Sequence, residues 1–326
     1  MHQKSLKAAI LLASACGSTA FSFPSIKGTT LSRRQDVNSS SDSSYGSGRF
    51  VRRRDLTSQF LSNGQCNDLA RGAIRFAFHD AGEYSQNTPW YAPAAGGADG
   101  SLLLAAGEID RRENAGLRPF YDWMTGFYPK YSDQVSAADL IQFAGAHATV
   151  TCPGGPAVQR ACCPPGFGPG SDHDSLLQLF QEKGFSAADL AALIGAHSAS
   201  RAFAQEQNGI PSGGPQDSTP GQLDVKYYSE TYNPPEGVYR FDSDINLSQR
   251  NTSVGSVFQS FVGAHGKWAA AFVGPAAQLS VLGIPAETVA GFVDCTGALP
   301  ERHVRPSVTS GPAQSTTASD RGEDAT

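Results

Sequence analysis

Two short segments, residues 136–140 and 186–190, both spell Ser-Ala-Ala-Asp-Leu, and each is followed at the same offset by Gly-Ala-His. A serine with an acid three positions on is a helix start: the hydroxyl caps a free backbone N–H, and the acid faces the positive end of the helix. The repeat therefore commits the chain to two capped helices, over 136–150 and 186–200. It also delivers two histidines, His147 and His197, to equivalent places, as rivals for one role. Apolar periodicity predicts further helices over 67–81, 100–111, 176–183, 253–272 and 275–282, joined by long Gly/Pro loops. Strand signals are sparse and short, so a mostly α body is expected.

Within the predicted helix 67–81 lies Arg75-Phe76-Ala77-Phe78-His79-Asp80. Arg75 and His79 are four apart and share a helix face, so a cation and an imidazole converge on whatever lies beside it. That pair suits peroxide chemistry. A neutral His79 takes a proton from a hydroperoxide and returns it to the departing oxygen, while Arg75 stabilises the charge that develops as the O–O bond breaks. The six residues alone fit a partly buried, ligand-free Arg/His pair equally well.

Further motifs follow in order: Gly97-Ala98-Asp99-Gly100-Ser101, then Gly195-Ala196-His197-Ser198, then the run from Asp217 through Thr219-Pro220-Gly221-Gln222 to Asp224. Together with the Arg75–Asp80 stretch they give a chain that resembles the secreted fungal class II haem peroxidases, the ligninase, manganese peroxidase and versatile peroxidase group, over roughly residues 60–300. The resemblance implies a two-lobed helical haem peroxidase fold with haem b between distal and proximal lobes, and two calcium ions. On the distal side it implies catalytic roles for Arg75, His79, Asn114 and Glu108, with Phe78 against the haem edge. On the proximal side it selects His197 over His147 as the iron ligand and Asp244 over Asp242 as the acceptor for its second nitrogen. If residues 240–244 are extended, periodicity alone cannot separate those two acids.

The same resemblance assigns Asp80, Gly97, Asp99 and Ser101 to a distal calcium ion, and Ser198, Asp217, Thr219, Gln222 and Asp224 to a proximal one. Carboxylates, carbonyls and hydroxyls are the hard-oxygen donors that calcium prefers. It pairs Cys66 with Cys152. Departures from the group bear on substrate. The positions of its three manganese-binding acids hold Asp68, Gly72 and Phe203, and its surface tryptophan is replaced by Ala192. A generic, low-potential peroxidase acting on hydrogen peroxide and small phenolic or aromatic donors is expected, with Trp90, Trp123 and Trp268 as candidate radical relays. The alternative is a non-catalytic, calcium-stabilised secreted binding protein on the same scaffold, for which retention of both Arg75 and His79 has no use.

The rest of the chain fits export. Lys4 and Lys7 precede an apolar run and small residues near Ser18, as in a signal peptide over 1–22. Residues 23–54 read as a Ser-rich, disordered pro-segment with dibasic points, 55–306 as the haem domain (distal lobe about 55–165, proximal lobe about 166–306), and 307–326 as a disordered Ser/Thr-rich tail. Of six cysteines, Cys16 leaves with the signal, so an odd number remains; the partners of Cys162, Cys163 and Cys295 stay open. Asn38, Asn246 and Asn251 sit in glycosylation sequons. A net charge of −5 argues against nucleic acid as a partner. No segment predicts a membrane span, no Cys-x-x-Cys-His predicts covalent haem, and no His-Glu-x-x-His predicts a metal hydrolase. An extracellular monomer is the expectation.

Overall fold

The computed structural model describes residues 53–87, 96–114, 116–133, 135–158, 170–203, 210–292, 296 and 299–300. The leader, the tail, Trp90, Cys162, Cys163 and Cys295 lie outside these residues.

The chain opens with α1 (Arg53–Phe60) and a two-residue hairpin of β1 (Leu61–Ser62) and β2 (Gln65–Cys66). Next comes α2 (Asp68–Ala81), started by Asn67, whose side chain accepts from the Ala70 N–H. Small residues at Ala70, Ala73, Ala77 and Ala81 recur at helical spacing and are fully buried. They let α2 lie close against α5 (Ala137–Thr151), and Gln142 of α5 donates to the Ala77 carbonyl at 3.3 Å. Between them run α3 (Ser101–Leu104), 3₁₀ turns at Glu108–Asp110 and Arg112–Asn114, and α4 (Arg118–Phe127). Phe76 of α2 meets Phe120 of α4 at 5.2 Å between ring centres, and Phe120 in turn packs on Trp123 of the same helix at 5.3 Å. These helices make the distal group.

The proximal group begins with α6 (His173–Glu182), then α7 (Ala187–Leu193), which passes into a 3₁₀ turn at Ile194–Ala199. After β3 (Arg201–Ala202) and its antiparallel partner β4 (Gly214–Pro215) come α8 (Lys226–Tyr232), α9 (Asp242–Leu247), α10 (Ser253–Ser260), α11 (His265–Leu279) and α12 (Ala286–Val289). Backbone hydrogen bonds join the groups: Cys66 N–H to Gly221 O, Leu223 N–H to Pro153 O, and Ala98 N–H to Leu282 O. Among the described residues no helix is long and apolar enough to cross a membrane.

Three expected helices come out differently. The segment 100–111 is α-helical only to Leu104: Ala105 is extended and ends the helix, and Gly107 at φ +81° leads into the 3₁₀ turn that follows. The segment 253–272 is two helices, separated around Gly263 at φ +67°. Pro275 does not start a helix but lies inside α11, near its end. Both capped starts of the repeat appear, with Ser136 and Ser186 accepting from the N–H of Asp139 and Asp189.

Cys66 and Cys152 are bonded, with Cα atoms 5.3 Å apart across 86 residues of chain. Closing a loop of that size removes chain entropy from the unfolded state worth about 4–5 kcal/mol. Replacing both cysteines by serine is therefore expected to lower the unfolding free energy by that amount, measured by denaturant titration. A loss under about 1 kcal/mol would mean that the bridge adds little beyond the surrounding core.

Candidate active site

The α2 helix positions Arg75 and His79 one turn apart. His79 Nδ1 lies 2.8 Å from Asn114 Oδ1, and the Asn114 amide nitrogen donates to the Glu108 carbonyl at 2.7 Å. The second bond fixes the amide orientation, since only its nitrogen can donate to a carbonyl. Asn114 Oδ1 must then accept, so His79 carries its proton on Nδ1 and leaves Nε2 unprotonated. Arg75 Nε donates toward that Nε2 at 3.2 Å. Burial, reinforced by the Arg75 charge, pulls His79 down to about 3 against the opposing pull of Asn114. The imidazole is therefore neutral at any ordinary pH, as a base must be.

Glu108 supports this network through its main-chain carbonyl. Its carboxylate turns instead to Arg111, 3.0 Å away. Phe78 is half-buried with its ring 5.1 Å from His79. His147, the rival from the repeat, is wholly buried in α5, with Nε2 at 2.9 Å from the Thr57 hydroxyl and Phe60 and Phe143 against its ring.

His197 sits in the 3₁₀ turn after α7. Gly195 makes that turn possible: a Cβ there would run into the Trp268 indole and the Tyr228 hydroxyl. His197 Nδ1 is 3.2 Å from both oxygens of Asp244, which is 1% exposed. The segment holding Asp242 and Asp244 is helical, not extended, so the two acids point apart and Asp242 is left in solvent. With Nδ1 committed to a carboxylate, Nε2 of His197 carries no hydrogen bond among the described residues. That is the donor an iron-bound imidazole needs.

Two buried groups that the sequence reading did not single out complete this side. Gln216 donates through Nε2 to Asp244 Oδ2 at 2.9 Å, leaving its own Oε1 buried without a partner. Tyr227 stands edge-on to the His197 ring at 5.8 Å, and its buried hydroxyl lies against Asp244 and Thr231. Burial and then the Asp244 charge push that phenol well above its ordinary range. No sequence signal marks Gln216 beyond its place before Asp217; Tyr227 carries none.

On the proximal side several of the expected oxygen-bearing residues lie together. Ser198 Oγ is 2.6 Å from Asp217 Oδ2 and 3.4 Å from Asp224 Oδ1, Thr219 Oγ1 is 3.0 Å from Asp224 Oδ2, and the Gln222 carbonyl is 3.5 Å from Ser198 Oγ. On the distal side Asp80 accepts the N–H groups of Gly100 and Leu102, and Asp99 that of Ser101. Gly97 lies buried against the Leu282 carbonyl. Asp80 and Asp217 are almost fully buried, and no lysine or arginine pairs with either among the described residues. Burial accordingly raises each carboxyl to about 7. Two buried, uncompensated acids, of which Asp217 has the oxygens of Ser198, Thr219 and Asp224 around it, fit a hard divalent cation that would supply the missing counter-charge.

Residues 53–263 match the peroxidase family. Manganese peroxidase H4 of Phanerodontia chrysosporium is 30% identical over 276 residues, covering 74% of this chain and 70% of that protein. Ligninase H2 of the same fungus is 29% identical, covering 76% and 72%. A peroxidase of Arthromyces ramosus is 28% identical, covering 76% and 73%.

Proposed function

Since the chain belongs to the peroxidase family, and so is a haem enzyme that uses hydrogen peroxide to oxidise aromatic reductants, we propose which of its residues carry that reaction. Haem b, when bound, supplies an iron that peroxide oxidises by two electrons and that two donors reduce again, one electron each. His197 holds it through Nε2, with Asp244 taking the Nδ1 proton and keeping the ring electron-rich. On the opposite side His79 Nε2 takes the proton of the incoming peroxide. The Arg75 guanidinium then stabilises the negative charge on the separating oxygens, and His79 returns the proton so that the departing group leaves as water. Asn114 keeps His79 in the tautomer that can do this. The single observation that carries the reading is the chain Glu108 O, Asn114, His79, Arg75, which leaves one basic nitrogen beside one cation.

The donor is a small phenol or other aromatic rather than manganese. Of the three positions that would bind the metal, Gly72 has no side chain and Phe203 presents an exposed ring. The Asp68 carboxylate is taken by Arg71 at 2.7 Å, and Arg71 is itself fixed to the carbonyls of Cys66 and Pro220. Two calcium ions, at the clusters around Asp80 and Asp217, would brace the two histidines through Asp80 and Ser198, which follow His79 and His197 directly in the chain. The Cys66–Cys152 disulfide suits an oxidising compartment and supports a secreted protein. Phenol oxidation is expected to require peroxide and to be indifferent to added manganese(II), followed by steady-state absorbance. Acceleration by manganese would contradict the donor assignment.

A further inference from the structure

We propose that Gln216 is a positioning residue that weakens the pull of Asp244 on His197 and so would set the reduction potential of an iron held there. The inference rests on the reading of His197 as iron ligand. Gln216 and Asp244 are each 1% exposed, and the amide nitrogen reaches Asp244 Oδ2 at 2.9 Å, closer than His197 Nδ1 at 3.2 Å. The amide nitrogen is also 3.4 Å from His197 Nδ1. Both nitrogens carry hydrogens, so neither donates to the other and both converge on one carboxylate. The opposite amide orientation would set Oε1 against that carboxylate, which electrostatics forbids. The orientation seen leaves Oε1 buried and unpartnered, so donation to Asp244 is the one polar contact this side chain keeps.

A carboxylate that accepts a second donor is a poorer acceptor for the first, because part of its charge is already neutralised. His197 therefore keeps more of its Nδ1 proton, its ring is less anionic, and it pushes less electron density toward a metal at Nε2. Gln216 moderates what Asp244 would otherwise do at full strength.

Gln216→Met keeps the size of the side chain and removes the donor. In the haem-loaded protein the Fe(III)/Fe(II) equilibrium is expected to move toward Fe(III) by about tenfold, a fall of about 59 mV for one electron. The iron–histidine stretching band of the ferrous form is expected to rise. In an Asp244→Asn background the same substitution is expected to shift neither. An unchanged potential, or an equal shift in both backgrounds, overturns the proposal, since the residue would then act by packing alone. In the haem-free protein the Nδ1 proton resonance of His197 is expected to move downfield in Gln216→Met. That readout decides the Gln216 role even if haem does not bind, in which case the iron-ligand reading falls separately. Should Gln216→Met not fold, Gln216→Asn keeps a buried amide and withdraws the donor by one methylene. It is expected to shift the potential part of the way in the same direction, and no shift overturns the proposal.

Discussion

Replacing His79 by alanine is expected to slow peroxide reduction by about 10²- to 10⁴-fold, the range a positioned general acid–base supplies, while the protein still retains haem through His197. The reason is geometric. Nε2 of His79 is the one unprotonated ring nitrogen in the Arg75–His79–Asn114 chain, met only by the 3.2 Å contact from Arg75 Nε, and the peroxide proton has no equivalent base to go to. The wild-type rate constant for peroxide reduction should also be flat from neutral pH down to about pH 4. It falls only as pH approaches about 3, where His79 takes up a proton. Rapid-mixing absorbance over that pH range checks both statements. An alanine variant that reacts at the wild-type rate would remove His79 from the mechanism.

Calcium removal is expected to destabilise the protein increasingly as pH rises. In the chelated protein Asp80 and Asp217 hold their protons up to about pH 7, whereas in the unfolded chain carboxyls lose theirs near 3.8. Between those values the folded state binds more protons than the unfolded one, so stability is greatest at the acid end and is lost as pH rises through about 7. Each shift of about 3 units is worth about 4 kcal/mol at most. With calcium bound both groups stay ionised against a cation, and this loss disappears. His79 works the other way, since the unfolded histidine protonates near 6.5 and the folded one near 3. That effect is common to both samples and cancels in their difference. The gap in Tm between calcium-loaded and chelated protein is therefore expected to widen from pH 4 to pH 7. A gap that is absent, or that narrows, would contradict both calcium sites.

Much of this arrangement is written in local signals. Serine caps announce α5 and α7 because the capping hydroxyl and the acid three residues on act within one turn. The four-residue spacing of Arg75 and His79 needs nothing beyond a helix. Asn114 and His197 were reached through resemblance, since a turn asparagine or a second Gly-Ala-His carries no sign of its distant partner. The choice between Asp242 and Asp244 became physical only when that segment proved helical, because a hundred-degree rotation per residue buries one acid and exposes the other. Gln216 was illegible for a similar reason: it matters through Asp244, 28 residues away, and tertiary proximity has no sequence period. The α4 helix, by contrast, was announced and passed over. Phe120, Trp123, Met124 and Phe127 recur at helical spacing behind Pro119 at the helix start. The breaks between Ala105 and Gly107 and around Gly263 interrupt helices that apolar spacing alone would extend, since periodicity reports burial and not backbone conformation.

The most direct test of the account is an absorption spectrum of the purified, haem-loaded, calcium-bound protein before and after one equivalent of hydrogen peroxide, followed by a small phenol. The Soret band is expected to shift within the mixing time, return to its starting position on adding phenol, and barely respond to peroxide in His79→Ala. A protein that takes up no haem, or whose Soret band ignores peroxide while His197 and His79 are intact, would contradict it.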